Sequence, residues 1–163
     1  MSYQEKKTIV SVVTGILLLA AYCIYAYVMA GMGAADGIKT WATTMLIFVG
    51  IGIVASIVIQ IVFLILLSVS IAIRKKIRDG EVVDKEVEIS IQREMVEDEM
   101  DKLIGLKSMR VAFTISGIGL IAALVSLVLG FSAAVMINIL FISFLLGAII
   151  EGITQLYYYR KGV

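Results

Sequence analysis

The polar positions of this chain fall in clusters, separated by long stretches with no charge at all. Residues 8–32, 40–73 and 111–150 contain no Asp, Glu, Lys or Arg. A membrane-crossing helix needs roughly 20 consecutive apolar residues. The first two stretches therefore predict one such helix each, and the third predicts two. The third breaks at Gly130-Phe131-Ser132, a suitable tight turn. The pattern gives an all-α, polytopic membrane protein with spans at 8–31, 42–73, 110–130 and 133–157, and a charged segment at 74–109. From Gln92 the charged segment takes up helical spacing, with Val96, Met100, Leu103 and Met109 near one face. It is expected to be an amphipathic cytoplasmic helix running unbroken into helix 3.

Composition agrees with this. The chain is 61% apolar with a mean hydropathy of +1.04, whereas soluble domains hold about 45–50% apolar residues. A cleaved signal peptide is the alternative for the first stretch, since Lys6-Lys7 precede it. Its length and its three tyrosines, Tyr22, Tyr25 and Tyr27, favour a retained helix. Of 14 basic residues, two precede helix 1, nine lie from Arg74 to Arg110, two follow helix 4, and only Lys39 lies on the other side. The positive-inside rule then puts both termini and the central segment in the cytoplasm. Trp41 and Tyr27 are expected at the outer interface and residues 157–159 at the inner one. Histidine and proline are absent, and the one cysteine, Cys23, lies within helix 1. No cofactor, metal or catalytic residue is expected, because no nucleophile motif, phosphate loop or nucleic-acid module is present.

Helices in lipid associate through small residues and a few polar contacts. Helix 3 carries Ala112, Ser116, Gly119, Ala123, Ser126 and Gly130 at spacings of 4, 3, 4, 3 and 4, a seam suited to an antiparallel neighbour. Helix 2 carries Gly52, Ser56 and Gln60, with Gln60 expected to point inward from the membrane middle. From Thr43 to Ile73 that helix would be about 46 Å long against roughly 30 Å of hydrocarbon, so either it tilts steeply or its last turns project into the cytoplasm, and the basic run at 74–78 favours projection.

Glu151 ends the last uncharged stretch, about 27 Å along helix 4 and close to the membrane edge. Arg110 is equally far from the hairpin turn, so the two are expected to pair, with Gln155 completing the hydrogen bonding. Arg110 lies about 100° off the small-residue seam, however, and must reach sideways. An ion- or proton-coupled role for Glu151 is the alternative. Asn138 lies about 220° round the helix from it, which leaves no polar path along helix 4.

In the charged segment, Glu94, Glu97, Asp98 and Asp101 share one helical face. Their mutual repulsion calls for neutralisation by the basic run at 74–78, a divalent cation or a basic partner; a solvated face is the simpler reading. Val87, Ile89 and Ile91 alternate with polar residues and fit a short extended stretch.

The residues VEDEMDKLIGLKSMR at 96–110, ahead of the hydrophobic hairpin, resemble a family of small bacterial four-helix membrane proteins with a motif close to D-E-R-D-x-L-I-x-L-K before the third helix. Asp98, Glu99, Asp101, Leu103, Ile104, Leu106 and Lys107 match it, and Met100 stands where arginine is expected. The resemblance covers about residues 92–163. It implies a companion of small helix-turn-helix regulators, with a soluble cytoplasmic regulatory partner; direct contact with nucleic acid is not expected, since the chain carries no nucleic-acid module.

Two functions are carried forward. One is a non-enzymatic sensor or regulatory scaffold in the bacterial cytoplasmic membrane that acts through the acidic face. The other is a small homo-oligomeric transporter with Glu151 as coupling carboxylate and Tyr22 and Tyr25 lining the path.

Overall fold

The computed structural model describes residues 3–31, 37–79 and 98–162, without the side chains of 30, 31, 67, 71, 72 and 74–79. These residues form four helices, α1 (Tyr3–Gly31), α2 (Ile38–Asp79), α3 (Glu99–Val128) and α4 (Ala133–Lys161). Their apolar stretches run to 27, 33, 30 and 29 residues. At about 1.5 Å per residue, each is long enough to cross roughly 30 Å of hydrocarbon. Four such helices fit a multi-pass membrane protein.

Each helix extends past its predicted span at the basic end, because polar residues there also take helical geometry, while α3 stops at Val128, two residues short. The start of α3 departs most from expectation. Asp98 has extended backbone at φ −79° and ψ 175°, so the helix begins at Glu99 instead of running unbroken from Gln92. The cause is a reciprocal cap. The amide of Asp101 donates to Asp98 Oδ1 at 2.7 Å, and the amide of Asp98 donates to Asp101 Oδ2 at 3.2 Å. Two carboxylates expected on an acidic docking face thus satisfy helix-end amides and sit at the positive end of the helix dipole. Glu94 and Glu97, like Val87, Ile89 and Ile91, lie outside the described residues.

The α3–α4 turn falls at the predicted place. The amide of Phe131 donates to the carbonyl of Ser126, and that of Gly130 to Leu127, both at 3.1 Å. Gly130 takes φ +88°, which a side chain would strain. Ser132 then caps α4. Gly130, the last member of the predicted seam, serves the turn and has no neighbour in the space a Cβ would fill.

The hairpin arms meet through small residues. A Cβ on Gly119 would run into the Ser143 side chain, and one on Gly147 would lie 2.9 Å from Ser116 Oγ and 3.2 Å from the Ala112 carbonyl. Ala123, Ser126 and Gly119 are buried, and the stripe continues toward the start of α3 through Ser108 and Ile104, both essentially inaccessible.

α4 is the central helix, packed against α3, α1 and α2, while α3 packs almost entirely on α4. α1 and α4 run antiparallel. Gly152 faces Val12, Gly15 faces Ile149, and Tyr22 stacks on Phe141 with ring centroids 4.6 Å apart. α2 leans on α1 where Gly52 admits Leu18, and Phe63 meets Tyr3 at 5.2 Å. From that level α2 continues for about 24 Å. The start of α1, the end of α2, the start of α3 and the end of α4 lie at one end of the bundle, the basic end, named for its lysines and arginines.

The seam predicts a sharp contrast between two glycines of one helix. Gly119→Ala must displace Ser143 and should destabilise the hairpin by about 1–3 kcal/mol. Gly117→Ala meets nothing within 4 Å and should be neutral or slightly stabilising. Thermal unfolding of both variants in detergent reads the difference.

Candidate functional site

A polar cleft with a volume of about 650 Å³ opens at the basic end between α1, α3 and α4. It exists because α3 follows α4 and leaves α1, so the first turns of α3 and of α1 stand apart. Gln4, Lys7, Thr8 and Ser11 form one wall, Asp101, Lys102, Gly105 and Leu106 the second, and Glu151 and Gln155 of α4 the floor.

A hydrogen-bonded chain crosses the floor. The Thr8 hydroxyl lies 2.9 Å from the Gln4 carbonyl and 3.2 Å from Gln155 Oε1, to which it can donate. Gln155 Nε2 donates in turn to Glu151 Oε1 at 3.5 Å, a long contact. This geometry pins the Gln155 amide and leaves most of the acceptor capacity of Glu151 free for another group.

The expected Arg110–Glu151 pair does not form: Arg110 is exposed, and no ion pair joins the two among the described residues. The level is right but the angle is wrong. At the depth of Glu151, α3 presents its small face, and the α3 residues sharing cavities with the carboxylate are Gly105, Leu106, Met109 and Ala112 among others. Arg110, two residues past the buried Ser108 and so about 160° round the helix from it, points away.

Gln60 also departs from expectation. It and Ser56 are exposed, and only Gly52 of that stripe is tucked against α1. Gln60 shares a groove with Lys7, Ser11 and Thr14. The antiparallel register thus sets it level with the charged start of α1, where water can satisfy its amide, instead of in the middle of the span.

Toward the far end the bundle is closed. Tyr22 is fully buried; its hydroxyl donates to Asn138 Oδ1 at 2.6 Å, and the Asn138 amide donates to the Ala134 carbonyl. Phe48 packs edge-on against the same ring at 5.2 Å. Tyr22 therefore anchors α1 to α4 and lines no path, while Tyr25 sits beside Phe48 and is partly exposed. At that end Tyr27 is 83% exposed, as an interfacial ring would be, whereas Trp41 is buried at 7%.

No family model matches the chain, and neither characterised proteins nor solved structures show a significant match to it. The cleft must be read from its own chemistry. Among the described residues no cluster of three or more His, Cys, Asp and Glu could hold a metal ion. The cleft offers carboxylate, amide, hydroxyl and ammonium groups, which suit reversible binding of a polar solute. The sequence marked Glu151 and Gln155 but missed Lys7, Thr8, Ser11 and Lys102. Thr8 and Ser11 are one turn apart on α1 and Thr14 follows one turn on, a small polar stripe that was the available signal.

The Tyr22–Asn138 bond predicts a measurable coupling. Tyr22→Phe and Asn138→Leu should each destabilise the bundle. A double-mutant cycle on thermal or denaturant unfolding should return an interaction of about 0.5–1.5 kcal/mol, the range of interhelical hydrogen bonds in membranes.

Proposed function

We propose that this protein is a non-enzymatic, multi-pass protein of the bacterial cytoplasmic membrane that senses a solute and regulates a soluble partner. Its basic end faces the cytoplasm, as the distribution of lysine and arginine favours. The cleft is the input, and the start of α3 with the acidic segment before it is the output. The observation that carries this is the construction of the cleft. One of its walls is the first two turns of α3, a helix that packs almost entirely on α4 and is covalently continuous with the acidic segment. An occupant touching both α1 and α3 changes the position of α3 and hence the presentation of Glu94 and Glu97. The resemblance at residues 92–163 to companions of helix-turn-helix regulators supports the same kind of partner.

Transport by a homo-oligomer, with Glu151 as coupling carboxylate, is the second reading. An ionisable group in a membrane span that is open to one side favours it. The buried Tyr22 cluster, which fills the far half between α1, α2 and α4, weighs against it.

Affinity capture of tagged protein from its native membranes in nanodiscs distinguishes the two. Regulation predicts a soluble partner that is lost with Glu94→Lys/Glu97→Lys and changed in amount by Glu151→Gln. These two acidic positions are preferred to Asp98 and Asp101, whose replacement would also uncap α3. Transport predicts solute flux that Glu151→Gln abolishes and Glu94→Lys/Glu97→Lys leaves intact. Partner recovery unaffected by any of these substitutions contradicts the regulatory reading.

A further inference from the structure

The charges in the cleft are layered by depth. Glu151 is deepest, at the level of Val12, since the neighbouring Gly152 faces that residue. Lys7 lies five residues nearer the basic end on the α1 wall, about 7.5 Å away along the axis. Lys102 stands further out, three residues after the capped start of α3, where Asp101 also sits. Among the described residues neither Glu151 nor Lys7 has an ion-pair partner. A half-buried carboxylate in a membrane span is costly unless a cation accompanies it.

We infer that the cleft binds a small soluble zwitterion, ammonium end first, with the ammonium at Glu151 and the anionic group at Lys7. A simple cation meets Glu151 but must pass Lys7 and leaves its charge unanswered, while the mouth of the cleft carries one charge of each sign in Asp101 and Lys102. A simple anion has the opposite difficulty. Lysine and glutamate side chains each span several ångströms, so the axial offset of about 7.5 Å leaves charges a few ångströms apart, the spacing within an amino acid or a betaine. A zwitterionic phospholipid fits less well. Its phosphate would lie at the membrane edge with the ammonium beyond it in the cytoplasm, which is the reverse of the order in the cleft. Ser11 and the Thr8–Gln155 chain supply neutral hydrogen-bonding groups between the two charges. At about 650 Å³ the volume accommodates such a solute together with water.

This inference rests on the reading of the cleft as the input site, and the two can fail separately. The probes are ω-amino acids of increasing length, from glycine through β-alanine and 4-aminobutyrate to 6-aminohexanoate, with butylamine and butyrate as single-charge controls. Binding to the full chain is measured by calorimetry in nanodiscs made only of anionic lipid, so that no lipid zwitterion competes; a second set containing phosphatidylethanolamine tests that competition.

One length should bind best and exceed both controls. Glu151→Gln and Lys7→Gln should each weaken it about tenfold or more. The substitutions should act in opposite senses on the controls, Lys7→Gln strengthening butylamine and Glu151→Gln strengthening butyrate, which a purely structural role would not produce. Butylamine binding as tightly as the best amino acid overturns the ligand class in favour of a cation site. Loss of binding in the phosphatidylethanolamine nanodiscs assigns the site to a lipid headgroup and overturns solubility of the ligand. If no probe binds while Glu151→Gln still alters partner recovery, the zwitterion inference falls and the input reading stands. If Glu151→Gln leaves recovery unchanged, the input reading falls whatever binds.

Discussion

The close approach of α3 and α4 sets the terms for everything else in this fold. Lipid tails are as apolar as leucine, so burying leucine against leucine gains nothing between helices in a bilayer. Dispersion between closely apposed backbones has to supply the attraction, and only small side chains allow it. Gly119 against Ser143 and Gly147 against Ser116 and Ala112 bring the two helices together along most of their length. The Gly130 turn holds them in register. The large residues, Phe113, Leu120, Leu124 and Phe144 among them, are left outward, where a bilayer would solvate them.

The other two helices are arranged around that hairpin. α1 uses the remaining small positions, with Gly152 admitting Val12 and Gly15 admitting Ile149, and Tyr22 bonds across to Asn138. α2 has fewer such positions and leans on α1 at Gly52, beside an open apolar groove of about 460 Å³ that borders α1 and α4. Since α3 has used its small face on α4, it has none left for α1. At the basic end the space between α1 and α3 opens as the cleft, and there the chain carries its polar groups. The cleft is in this sense a consequence of the hairpin.

Much of the fold was legible in the sequence because a membrane helix has to announce itself. Uninterrupted apolar runs gave the four helices, and the spacing of Ala112, Ser116, Gly119, Ala123 and Ser126 gave the packed face of α3. The turn at Gly130 was equally plain. Angular information was harder to extract. Hairpin counting set Glu151 and Arg110 at one depth, but side-chain pairing also requires a shared face, and Arg110 lies nearly opposite the buried Ser108. Gln60 was misplaced because depth was counted along α2 alone, whereas its register against α1 decides how far it lies from Lys7. The aspartates at 98 and 101 were assigned by charge to a face when their spacing of three, at the head of a helix, equally describes a cap. Thr8, Ser11, Lys7 and Lys102 were not recognised as one site since they converge only through the relation of three helices.

The account turns on whether Glu151 lies in an aqueous cleft open to one side. In a Cys23→Ala background, Glu151→Cys can be probed with a membrane-impermeant maleimide, which reacts with a thiolate and hence only where water reaches. Rapid labelling from the basic-end side alone, beside an unreactive Ser143→Cys at the α3–α4 contact, is the predicted result. An unreactive thiol at 151, or one labelled equally from both sides, would contradict the cleft as described.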